Sequence, residues 1–259
     1  MSCLSERYLR NEVMLDDHCF VRILSGQLKI IQSNTIRLFG AGDTILFPRR
    51  RLSTVVQYPK DNQAYKCVLI MFKGDRLKQY YAANPPVKSA ERASEVKSFD
   101  KHPLIESYFA SLLPYFDLQY ELPEKLLAIK IEEALTILRT VDKSVDSFLA
   151  DFTEPGKIDL AEYMEQNYMF NMPLDKFSYL TGRSLTTFKR DFNKIYGATP
   201  QRWLTKTRLK LAHHLLLESK QKPVDVFWEV GFENLSHFSY AFKKEFGYAP
   251  KEIWKEGTA

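Results

Sequence analysis

Cysteine is scarce in this 259-residue chain: Cys3, Cys19 and Cys67 are odd in number, and none shows CxxC or Cys/His spacing. That excludes a disulfide framework and a cysteine-based zinc site, and it points to a reducing, cytoplasmic setting. Long apolar runs are missing too. No stretch approaches the roughly 18 apolar residues of a membrane span, and the opening "MSCLSERYLRNEVMLDD" has no apolar core of a secretory signal. No membrane partner is expected. The chain also lacks Gly-x-Ser-x-Gly, a phosphate-binding loop, a dinucleotide fingerprint and His-Glu-x-x-His, and the pair Glu132-Glu133 falls on an ordinary helix surface. It is therefore not expected to be an enzyme, and no metal or cofactor is expected.

What is present is enough apolar material for packed cores, 45% of residues, and a charge excess confined to one region. From Lys157 to the end, 16 basic residues stand against 12 acidic ones, so nearly all of the net +5 lies there. Arg183 to Lys210 holds eight basic residues and one acid, Asp191. Such a stretch beside aromatic residues is the footprint of a polyanion binder, or else a solvated helix face.

That region also contains a repeat. "PLDKFSYLTGRSLTTFKRDFNKIYGATP" begins at Pro173 and "PVDVFWEVGFENLSHFSYAFKKEFGYAP" begins at Pro223, so fifty residues separate Phe177 from Phe227, Phe188 from Phe238, Phe192 from Phe242 and Gly197 from Gly247. In the first copy Leu174, Phe177 and Leu180 form one helix face, Gly182 breaks the helix, and Ser184 caps a second helix. The spacing of Leu185, Phe188, Phe192 and Ile195 turns them inward and leaves Thr186, Thr187, Lys189, Arg190 and Asn193 outside. In the second copy Val224, Phe227 and Val230 form the first face, Gly231 sits in the turn and Asn234 is the cap. Leu235, Phe238 and Phe242 face inward there, and Ser236, His237, Ser239, Tyr240, Lys243 and Lys244 face out. The connector from Pro200 to Ser219 reads as a helix of roughly 30 Å, close to the ~34 Å between successive major-groove entries on one face of B-DNA. One chain can thus place two helices in consecutive grooves.

Upstream, residues 18 to 72 read as short strands punctuated by Gly26, Gly40 and Gly42, which suits a small barrel or sandwich. Helical spacing follows: "RLKQYYAAN", then "HPLIESYFASLLPYF", then a helix entered at Pro123 with a broad stripe of Leu126, Ile129, Ile131, Ala134, Leu135 and Leu138. The stripe is core or a homodimer face. The polar stretch Asp142 to Lys157 marks a domain boundary, near Thr153 to Lys157.

Ile158 to Trp254 resembles the DNA-binding domain of the AraC family of transcription regulators, and "GFENLSHFSYAFKKEFGYAP" is similar to that family's signature for its second unit. The resemblance implies a seven-helix domain with two helix-turn-helix units binding double-stranded DNA, with RNA polymerase as a further partner and activation of transcription as the function. Carried over by position, Thr186, Lys189, Arg190 and Asn193 face bases from the first unit, which supplies most base contacts in the family. Ser236, His237, Ser239 and Tyr240 do so from the second, with Lys194, Lys243 and Lys244 placed for phosphates. Tyr240 stands where many members have arginine, shifting weight to Arg190, and Ile253-Trp254 replaces the usual aromatic-arginine ending.

The N-terminal part resembles the family's cupin-like regulatory barrel less specifically. "GDTILFP" matches Gly-x5-Pro, but His-x-His is absent and Arg49 to Arg51 follow. The expected architecture is α+β and multidomain: a cupin-like β-barrel over 1–85, a helical region over 86–150 that dimerises, and an all-α double helix-turn-helix domain over 151–259. A small-molecule effector, a protein anti-activator, or an enzyme-like cupin fused to a DNA-binding domain are the readings for the barrel. Among single residues, Arg49 to Arg51 form an exposed loop or an anion clamp. His213 and His214 point about 100° apart on a helix and make a poor metal pair, and His237 is a reading or a capping residue. Trp203, Trp228 and Trp254 are expected in the core.

Overall fold

The computed structural model of the protein describes residues 2–5, 8–32, 35–87, 95–117 and 122–253. The chain divides into two compact units, Met1–Thr153 and Glu154–Ala259.

In the first unit the described strands form two antiparallel sheets. One runs in the order β1 (Ser2–Ser5), β8 (Tyr65–Phe72), β3 (His18–Ser25), β6 (Thr44–Phe47), β9 (Lys97–Phe99). The other runs β2 (Leu9–Val13), β7 (Ser53–Tyr58), β4 (Gln27–Gln32), β5 (Thr35–Gly40). On β4 every second residue, Leu28 and Ile30 among them, is buried, as a strand with one solvated face requires. β3 is buried on both faces. Its Cys19, Val21 and Ile23 join Leu28, Ile30 and Phe39 in a core between the sheets. Its Phe20 joins Leu46, Val68 and Phe72 in a second core, under helices α1 (Gly74–Ala83), α2 (Pro103–Leu112), α3 (Glu124–Val141) and α4 (Asp146–Leu149).

Two expectations are corrected here. The sheets form an open sandwich and do not close into a barrel: β1, β9, β2 and β5 each pair on one side only among the described residues, and β3 passes to β4 of the other sheet through one residue, Gly26. That glycine has φ +75°, and a Cβ on it would lie 2.6 Å from the Tyr58 carbonyl oxygen, so the corner requires glycine. The division at residue 85 does not separate two bodies, because β9 completes the five-stranded sheet and the helices share its core. The α3 stripe splits: Ala134, Leu135 and Leu138 are buried, whereas Ile129 is exposed.

Arg49 and Arg50 are occupied within this unit. Arg49 donates to the Asp151 carbonyl oxygen, and Arg50 donates to that of Thr153 at 2.9 Å. The neighbouring His18 is buried, and its Nδ1 accepts the Arg49 backbone N–H. Burial, then the Arg49 charge, holds its imidazole down at about 3.

The second unit is helical: α5 (Leu160–Asn167), α6 (Leu174–Leu180), α7 (Leu185–Tyr196), α8 (Pro200–Leu217), α9 (Pro223–Glu229) and α10 (Leu235–Phe246), with helical residues again from Pro250 to Ile253. Phe177, Phe188 and Phe192 of one copy and Phe227, Phe238 and Phe242 of the other are buried at matching places. Trp254 lies outside the described residues. Among those described, no helix is long and apolar enough to cross a membrane.

Candidate nucleic-acid interface

Each repeat builds a capped, amphipathic helix behind a glycine turn. In the first, α6 ends at Thr181 and Gly182 takes φ +65°. A Cβ on Gly182 would meet the Gly156 backbone at 2.3 Å, so the turn sits directly against the segment that enters this unit. The Ser184 side chain accepts the Thr187 N–H and starts α7, and Gly197 ends it in the left-handed region. In the second copy Gly231 makes the turn at φ +83°, where a Cβ would lie 2.4 Å from the Met169 oxygen. Asn234 Oδ1 accepts the His237 N–H at 2.7 Å to start α10, which ends at Gly247. His237 is thus the capped residue and not the cap.

Anchoring by the phenylalanines fixes which side chains face solvent. Thr186, Lys189, Arg190, Asn193 and Lys194 are all exposed on α7. On α10, Ser236, His237, Tyr240, Lys243 and Lys244 are exposed and Ser239 is half-buried. Tyr240, at 69% exposure, is the most open large hydrophobic residue among those described. The structure therefore groups the sequence-selected residues on two outward helix faces. The connector α8 has 18 residues, about 27 Å of helix at 1.5 Å per residue.

The ends of the inward stripes behave differently from the pattern. Leu185, Ile195 and Leu235 are exposed because they stand in the first or last turns, past the buried phenylalanine pair. Val224 and Trp228, four apart on α9, are both exposed, which corrects their core assignment. Trp203 is half-buried, packed on Tyr196 at 4.6 Å and Phe192 at 5.5 Å between ring centroids. His213 Nε2 pairs with the Tyr248 hydroxyl at 2.8 Å, a second-copy packing contact.

Two members of the basic stretch are structural. Arg208 is 8% exposed and donates to the carbonyl oxygens of Tyr168, Phe170 and Gly231 at 2.7–3.1 Å, so α8 holds the first copy's entry turn and the second copy's turn together. The i+4 line Leu204, Arg208, Ala212, Leu216 places it on the buried stripe, a signal already in the sequence. Arg183, its side chain 7% exposed, donates to Ile158 O, Thr181 O and Asp191. Asp191 also takes Arg190 and lies 3.5 Å from the Lys157 ammonium. Burial acts to raise its pKa, but hydrogen bonds from Arg183 and Arg190 with the Lys157 charge hold the carboxyl below the usual range. A basic surface with donors on two helix faces is equipped to neutralise phosphates and to reach base edges.

Two family descriptions match the chain: an ExsA N-terminal regulatory domain over residues 18–152 and a helix-turn-helix domain over 179–256. The virulence regulon transcriptional activator VirF of Yersinia enterocolitica is 31% identical over 157 residues, 60% of this chain and 57% of its own. The HTH-type transcriptional regulator ExsA of Pseudomonas aeruginosa is 34% identical over 135 residues, 51% of this chain and 49% of its own. The chain thus matches about half the length of these curated relatives. Among solved structures, an apo ToxT variant from Vibrio cholerae aligns at TM-score 0.46 with 16% identity, over 98% of this chain and 96% of that one.

Proposed function

We propose that this chain, which belongs to the AraC family and carries its ExsA-type N-terminal regulatory domain, is a sequence-specific DNA-binding transcription activator. The observation that carries the reading is the pair of capped helices with solvent-facing donor surfaces, joined by one helix of about 27 Å. Thr186, Lys189, Arg190 and Asn193 read bases from α7, and Ser236, His237, Ser239 and Tyr240 from α10. Lys194, Lys243 and Lys244 take phosphates. Double-stranded DNA is the primary partner and RNA polymerase the second, in the cytoplasm. No catalytic role is assigned.

The N-terminal unit controls this activity. Exposed apolar residues on its helices, Leu104 on α2 and Ile129 on α3, the latter turned away from the buried Ala134, Leu135 and Leu138, support a protein-facing surface on these helices. A second copy is the proposed occupant. Dimerisation holds two DNA-binding units at high effective concentration, and a signal at the N-terminal unit shifts the population able to engage DNA together. A protein anti-activator on the same surface is the second reading, supported by the same exposed side chains.

Binding-site selection with the full-length chain tests the DNA reading. Enrichment of a site with two preferred blocks about one helical turn apart is expected. Absence of enriched sequence, with binding that fades uniformly as salt rises, contradicts it. Transcription in vitro from a promoter carrying the selected site is expected to rise on adding the protein.

A further inference from the structure

Asp191 is the one acidic residue among nine charges between Arg183 and Lys210. A carboxylate on a helix that faces a polyanion weakens attraction, so its position requires a reason. The geometry supplies one. Oδ2 of Asp191 takes Arg183 Nε at 3.3 Å, and Arg183 is itself fixed by Ile158 O at 3.0 Å and Thr181 O at 2.6 Å. The carboxylate is thus anchored, and its side chain is 17% exposed. The other oxygen, Oδ1, takes Arg190 through Nε at 3.4 Å and one terminal nitrogen at 3.3 Å.

Adjacent residues on a helix do not ordinarily face each other, so Arg190 bends along α7 to make this contact. A guanidinium has two useful edges, the Nε side and the terminal fork. Asp191 occupies the Nε side. The second terminal nitrogen takes no partner among the described residues, on a side chain that is 64% exposed, and the outward edge of the terminal fork matches O6 and N7 of guanine in the major groove.

We propose that Asp191 is a positioning residue for specificity, holding the Arg190 guanidinium so that its terminal fork is presented to one base pair. This rests on the base-reading role of Arg190 proposed above. The second copy has no counterpart, because Tyr240 and Ala241 occupy the equivalent positions.

The test uses the full-length chain as wild type, Arg190→Ala, Asp191→Asn and the double variant, in competition binding against single-base variants of the selected site. Arg190→Ala relaxes preference at one base pair. Asp191→Asn relaxes the same position by about threefold to tenfold and no other, while affinity for unrelated DNA holds or rises because a negative charge is gone. In the double variant Asp191→Asn adds nothing. Wild-type preference at that position in Asp191→Asn, or equal loss at all positions, overturns the proposal. If Arg190→Ala changes no preference, the base-reading role falls as well; if Arg190→Ala relaxes the position and Asp191→Asn does not, only the role of Asp191 falls. Should Asp191→Asn fail to fold, side-chain NMR of the wild type decides, with Arg190→Lys for assignment. A slowly exchanging Arg190 Nε–H in the free protein is expected, and exchange as fast as in a freely solvated arginine overturns the assignment.

Discussion

The two helix-turn-helix copies share a frame and differ in what they present. Both bury three phenylalanines at matched positions, both turn on a glycine with positive φ, and both start the outer helix with a side-chain cap. On α7 the exposed face carries Lys189, Arg190 and Lys194 beside an anchored carboxylate; on α10 the corresponding place holds an open Tyr240. Repetition preserves the scaffold while the outer face diverges, so the copies are equivalent in folding and unequal in recognition. The turn glycines sharpen the point: Gly182 and Gly231 are one place out of register in the fifty-residue frame, yet each is pressed against foreign backbone.

The largest expected effect probes the shared scaffold. Gly182→Ala and Gly231→Ala are each expected to cost about 3 kcal/mol, from strain at positive φ plus displacement of the contacting backbone. Gly197→Ala, where a Cβ meets open space, is expected to cost about 1 kcal/mol. All three tryptophans lie in the C-terminal unit, so denaturation followed by tryptophan fluorescence reads it selectively. A large loss in only one turn variant breaks the equivalence of the copies.

Recognition should separate them next. Arg190→Ala is expected to cost about 1–3 kcal/mol of discrimination at one base pair, whereas Tyr240→Ala should cost less, in the same competition titration. Equal losses would make the two faces equivalent readers. Smaller again are the caps: Asn234→Ala and Ser184→Ala are each expected to lose about 1 kcal/mol of stability. Lys244→Ala, finally, should weaken all DNA sequences alike and lower the steepness of the log–log salt dependence by about 1.

Much of the C-terminal unit was legible because its signals are local and written twice. Ser184, Asn234, Gly197 and Gly247 are caps whose residue types match their backbone, and the phenylalanine spacing is helical. Charge alone misled for Arg183 and Arg208, which look like phosphate ligands in a basic run but spend their donors on buried carbonyl oxygens and a carboxylate. Periodicity also overreached at helix ends, leaving Leu185, Ile195 and Val224 outside. In the N-terminal unit the strands between residues 18 and 72 were visible, but β1, β2 and β9 outside that range were not, and neither were the pairings. Pairing of β1 with β8, or of β9 with β6, joins residues dozens of positions apart, and local pattern carries no information on whether a sheet closes.

Chemical protection of guanine N7 in the major groove of the selected site, with wild type and Arg190→Ala, distinguishes two unequal reading helices in one unit from equal or single readers. Two protected groups about 10 base pairs apart are expected, with Arg190→Ala losing protection in one group and keeping the other. A single protected block, or loss of both groups together in the variant, would contradict two unequal readers.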